Sequence, residues 1–117
     1  MLTTLSVALV ALLHALFMLL EMFLWKKPLG RKIFGLSREQ AELTAVLAAN
    51  QGLYNGFLAA GLCRGLLAGA GGRDSVIFFL ACVIAAGVFG AFTAKRSILW
   101  IQALPGAIAL GLVLLQV

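Results

Sequence analysis

An apolar run reaching from Leu5 to Trp25, interrupted by only two ionisable side chains, His14 and Glu21, narrows what this chain can fold into more than any other feature. About 20 consecutive apolar residues are enough to cross the hydrocarbon core of a bilayer as a helix. Ionisable groups are costly there and mark, by default, a position buried for function. The seven-residue spacing is close to two helical turns, which puts both groups on one face, roughly 10 Å apart along the axis. That face is expected to turn away from lipid.

The composition extends this reading to the whole chain. Of 117 residues, 63% are hydrophobic and only 11% charged, with a mean hydropathy of +1.10, whereas a soluble domain carries about 25% charged residues. The predicted class is an all-α integral membrane protein, a four-helix transmembrane bundle that forms a single domain over residues 1–117. Its spans are placed at about 2–25, 39–67, 75–94 and 98–117, which leaves no room for a separate soluble domain. The first span is unlike a signal peptide: it lacks a basic start, its apolar run is too long, and it ends in Trp25, Lys26 and Lys27, an interface anchor followed by a stop. In the connection KKPLGRKIFGLSREQ, Pro28 and Gly30 are expected to break the helix, and Ile33, Phe34 and Leu36 to lie on the membrane surface. Ser37 followed by Gln40 reads as a capping box that starts the second span.

Basic residues set the orientation. Five of the nine Lys and Arg residues (Lys26, Lys27, Arg31, Lys32, Arg38) fall between spans one and two, and two more (Lys95, Arg96) between spans three and four, against only Arg64 and Arg73 on the other side. The positive-inside rule then predicts both termini on the non-cytoplasmic side. The net charge of +5 has the same origin, cations holding short loops at an anionic leaflet. A nucleic-acid partner is not expected, because the charge lacks a continuous basic face. Cys63 and Cys82 are placed too far apart in depth for a disulfide and read as small buried residues.

Small residues recur at helical spacing: Gly52 and Gly56, then Gly61, Gly65 and Gly69, then Ala86 and Gly90. Such faces let helices approach closely in a membrane. Packing within one bundle is the expected use, with a homodimer through the glycine-rich faces as the alternative.

Counting inward from helix ends assumed to lie flush at the cytoplasmic side predicts two polar layers. Glu21, Glu42, Thr93 and Gln102 form the shallow one, with Gln102 or Thr93 serving the Glu21 carboxyl. His14, Asn50, Gln51 and Tyr54 form the deep one, and Asn50, Gln51, Tyr54 and Asn55 share an arc of about 140° on span two. Single interhelical hydrogen bonds often do no more than join helices, at about 0.6 kcal/mol each. Asn55, Thr93 and Gln102 taken singly fit that description, and Glu21 would be equally at home snorkelling towards Lys26 or Lys27. His14 is too deep to snorkel, and so many polar groups in two layers point to a pocket.

The stretches HALFMLLEMFLW (His14 to Trp25), NQGLYNGFLAAGL (Asn50 to Leu62), GVFGAFT (Gly87 to Thr93) and QALPGAIAL (Gln102 to Leu110) together resemble the bacterial membrane family catalogued as domain of unknown function 1304. The NQGLYNG block is the specific part, and the likeness covers essentially the whole chain. The resemblance implies a compact four-span protein of the bacterial inner membrane. It marks His14, Glu21, Asn50, Gln51, Tyr54, Asn55, Thr93, Gln102 and Pro105, and it implies no particular activity.

Three functions are compatible with these residues. In the first, a small lipophilic molecule is bound and converted by acid–base chemistry of an isomerase or epoxide-opening type. His14 and Glu21 are then the catalytic pair, and Asn50, Gln51, Tyr54, Asn55, Thr93 and Gln102 bind the ligand. Such chemistry needs no cofactor. A metal site is not expected either, since His14, Glu21 and Glu42 make a poor ligand set. The second is a proton-coupled transporter of the size of the small multidrug exporters, made less attractive by the seven-to-two charge bias. The third is a non-catalytic accessory or scaffold protein whose polar groups satisfy one another.

Overall fold

The computed structural model describes residues 1–116, and among them every regular element is helical. Five α-helices follow in order: α1 (Leu2–Met22), α2 (Pro28–Phe34), α3 (Arg38–Leu67), α4 (Arg73–Thr93) and α5 (Leu104–Leu115). A 3₁₀ turn (Gly69–Gly72) leads into α4, and a π turn (Leu99–Ala103) leads into α5. By length and composition α1 and the stretch Gly69–Thr93 are apolar enough to cross a membrane, and Leu99–Leu115 is a shorter apolar helix. The all-helical class holds; of the four segments placed as spans, the first and third are the two whose helices have the length and apolarity to cross a membrane. The last of the four was expected to reach Val117, which lies outside the described residues.

The connection between α1 and α3 departs from expectation. Pro28 and Gly30 do not break a helix there but build one, α2. Proline occupies the first turn, where its missing N–H costs nothing. Gly30 is buried, and a Cβ on it would stand 1.9 Å from the carbonyl oxygen of Leu24. Glycine is thus needed for close approach, not for flexibility. The helix stops at Gly35, whose φ of 66° suits a residue without a side chain. Trp25 closes the corner: its ring lies 4.7 Å from that of Phe34, and its Nε1 donates to Thr44 Oγ1 at 3.0 Å.

The capping box at the start of α3 is complete. Gln40 N–H donates to Ser37 Oγ at 3.1 Å, and Ser37 N–H donates to Gln40 Oε1 at 2.9 Å. Ser37→Ala should therefore cost about 1 kcal/mol, and Ser37→Asp should restore most of it, measured by denaturation in a mild detergent. Equal stability of the serine and alanine proteins would show that the box contributes nothing.

The chain forms two compact units. One comprises Met1–Leu12 together with everything from Leu58 onward, and the other is Leu13–Phe57. The core of the first unit is aliphatic: Val7, Val10, Leu62, Val76, Leu80, Val83, Ala109 and their neighbours. Its helices are pressed together at glycines. A Cβ on Gly87 would stand 2.6 Å from the backbone nitrogen of Ala103, and one on Gly72 would stand 1.9 Å from the carbonyl oxygen of Gly65.

The π turn has a local cause. Pro105 has no N–H to give to the carbonyl four residues back, and its ring crowds that carbonyl. The chain responds by widening one turn, so that the Leu104 N–H reaches Leu99 O instead. Cys82 is half-buried, but Cys63 is exposed, contrary to the buried position expected of it.

Along α1 the usual arrangement of a water-soluble helix is reversed. Leu2, Leu5, Leu9, Leu12, Leu16 and Leu19, alternately three and four residues apart, are all exposed, as is Phe23 just past the helix end, while His14 and Glu21 are buried with Val7, Val10 and Ala11.

Candidate functional site

The site is built on the contact of α1 with α3 inside the Leu13–Phe57 unit. Gly52 and Gly56 supply it. A Cβ on Gly52 would stand 2.7 Å from Met22 Cγ and 3.0 Å from Glu21 Cβ, and one on Gly56 would stand 2.6 Å from Met18 Sδ. The GxxxG pair is thus used inside the chain, as small residues are wherever helices must touch. Asn55 lies three residues after Gly52 and one before Gly56, which turns its amide towards the same neighbour. Its Nδ2 donates to Glu21 Oε1.

Burial makes this bond consequential. Glu21 is 5% exposed and Asn55 8%. A neutral amide, not a cation, thus holds one oxygen of the carboxyl. His14, two turns earlier on the same face, is 1% exposed, with its ring edge-on to Phe17 at 5.4 Å.

The remaining predicted residues are placed otherwise. Asn50, Gln51 and Tyr54 are exposed, Tyr54 edge-on to Phe57 at 5.9 Å. Thr93 is exposed, and its hydroxyl donates to Phe89 O of its own helix at 2.8 Å. Gln102 is half-buried in the π turn. Thr93 and Gln102 belong to the other unit. Of the eight, the structure joins Glu21 and Asn55 directly, with His14 buried on the same face of α1.

The two-layer register needs correction. Glu21 meets α3 at Gly52 and Asn55, whereas flush helix ends would have set it beside Glu42. Glu42 is exposed and lies ten residues before Gly52, about 15 Å along the axis. The cause is the corner made by Trp25, α2 and the capping box, which starts α3 well before it reaches the level of Glu21. Reading the sequence also gave no role to the far end of the first unit, where Arg73, Thr3 and Thr4 line a cavity. Arg73 counted there only as one of two cations on the outer side.

A helix that buries a carboxyl and an imidazole while exposing its leucines, with an amide of α3 on the carboxyl, defines a small helical protein with a buried polar contact. The chain belongs to the family described as "Protein of unknown function (DUF1304)", whose match covers residues 8–114. It is also similar to the uncharacterized protein YpaA of Lactococcus lactis subsp. lactis (strain IL1403), with 29% identity over 103 residues, 86% of this chain and 87% of the relative. No solved structure matches.

Proposed function

We propose that this is a multi-pass protein of the bacterial cytoplasmic membrane, with four spans and both termini on the non-cytoplasmic side. We further propose that it binds a small lipophilic molecule, with Glu21 and His14 handling protons for its conversion. The exposed leucine stripe of α1 supports the membrane setting, because in water so large an apolar face would be a liability. The seven-to-two split of Lys and Arg supports the orientation. A phosphatase fused after Val117 should accordingly be active in intact cells, and an inactive fusion with a fluorescent cytoplasmic counterpart would reverse the topology.

The observation that carries the chemical reading is the Glu21–Asn55 contact, a buried carboxyl held at one oxygen by a neutral amide. For a group built only to join two helices, an ionisable one is an expensive choice. The test is organic extraction and mass spectrometry of protein purified in mild detergent. The natural protein should carry a lipophilic molecule that Glu21→Gln and His14→Ala, both melting as the natural protein does, retain at least about tenfold less, the size of effect expected for losing one charged hydrogen bond. Equal retention by both variants would remove these residues from the role.

The accessory reading has one observation in its favour: the donor to Glu21 is internal, so the polar pair is partly satisfied without any ligand. Under that reading no molecule is retained by any of the three proteins.

A further inference from the structure

A cavity of about 380 Å³ opens in the unit formed by Met1–Leu12 and the residues from Leu58 onward, where the start of α1, the end of α3, the start of α4 and the end of α5 converge. Its deeper walls include the buried Val7, Val76 and Val113, and Leu66 lines it as well. Arg73 and Thr4 line it too, both exposed. Among the described residues no carboxylate does.

The arginine is not needed by the protein around it. Its one bond among the described residues runs from NH2 to Val113 O at 3.5 Å, the long limit for a hydrogen bond. Val113 O already accepts from the Gln116 N–H at 3.2 Å, and Leu112 O accepts from Thr3 Oγ1 at 3.1 Å, so the end of α5 is capped without it. A guanidinium offers five donors in a planar fork that matches carboxylate and phosphate oxygens. The place of Arg73 is fixed by the backbone contact of Gly72 with Gly65 immediately before it.

We propose that this cavity binds an anionic amphiphile with a single alkyl chain, its carboxylate or phosphate head on Arg73 and its chain along Val7, Leu66, Val76 and Val113. The volume is at the lower end of the range for small-molecule pockets, roughly 300–1,000 Å³, and therefore suits one chain and not the two of a bilayer phospholipid. This site is separate from Glu21 and stands or falls independently of it.

The experiment is a titration of the full protein, in a neutral sugar-based detergent, with dodecanoate, dodecyl phosphate, dodecanol and inorganic phosphate, read by native mass spectrometry. At least one of the two anionic amphiphiles should saturate at one molecule per chain, and the tighter of them identifies the head group. Dodecanol and inorganic phosphate should each bind at least about tenfold more weakly, the difference that one charged hydrogen bond makes. Arg73→Gln should bring the anions down to the level of dodecanol, and Leu66→Trp, which fills the cavity, should abolish binding of all three alkyl compounds. The proposal is overturned if dodecanol matches the anions, if inorganic phosphate binds as well as they do, if neither anion saturates, or if Arg73→Gln changes nothing. The comparison of head groups on the natural protein decides the matter even if a variant fails to fold.

Discussion

Gly72→Ala is expected to destabilise the protein by about 3 kcal/mol or more, at the top of the range for overpacking. The added Cβ would stand 1.9 Å from the carbonyl oxygen of Gly65, 2.7 Å from its carbonyl carbon and 2.9 Å from its Cα. All three are backbone atoms, so no side chain can swing aside. Relief requires the end of α3 and the start of α4 to separate by about 1 Å, which also loosens the contact of Gly65 with Val76, a residue of the aliphatic core. The neighbouring Gly71→Ala is the control, because nothing lies within 4 Å of its added carbon. That change should stay within about 0.5 kcal/mol of the natural protein. Thermal melts of the two variants by circular dichroism in the same detergent decide the point. Coincident curves would mean that the two backbones do not touch.

Asn55→Leu is the second large effect, about 2 kcal/mol. Leucine is close to asparagine in size but leaves the buried Glu21 carboxyl without its donor, and the cost of an unsatisfied buried group is about 1–3 kcal/mol. Glu21→Gln should cost less, because the amide oxygen of glutamine can still accept from Asn55. The double variant Glu21→Leu with Asn55→Leu removes both partners and should recover part of the loss, giving a coupling of about 0.5–3 kcal/mol in a double-mutant cycle. Additive single effects would mean that the pair is not joined in the protein. Because Glu21→Gln keeps the fold while removing the acid, it is also the substitution that separates chemistry from stability in the ligand experiment.

What could be read from the sequence follows from how local each cause is. The capping box of Ser37 and Gln40 depends on four consecutive residues and was fully legible. The burial of His14 was legible for a different reason: it lies too deep in an apolar helix to snorkel, whereas the sequence left Glu21 between a buried place and the interface near Lys26 and Lys27. The partner of Glu21 was not, because it depends on how far α3 slides along α1, and that is set by the corner of Trp25, Phe34 and Thr44, whose contacts with one another no local pattern gives. Depth counted from flush ends therefore chose Glu42, Thr93 and Gln102 as company for a carboxyl that the structure gives to Asn55. Glycine was ambiguous in the same way. A breaker and a point of close contact are the same letter, and only the Leu24 carbonyl above Gly30 shows which one is meant.

The widened turn at Leu99–Ala103 makes the last helix a phase-shifted one. Ile98 faces Gly90 and Ala103 faces Gly87, both on α4, although five residues of ideal helix would set them about 140° apart. Gly106 continues the same face against Val83 and Ile84. One residue fewer in this stretch would give an ordinary α-helical turn, and residues four apart share a face, so both halves of the helix would still meet α4. A one-residue gap placed there in an alignment of family members thus marks the loss of the widened turn, with the packing on α4 kept.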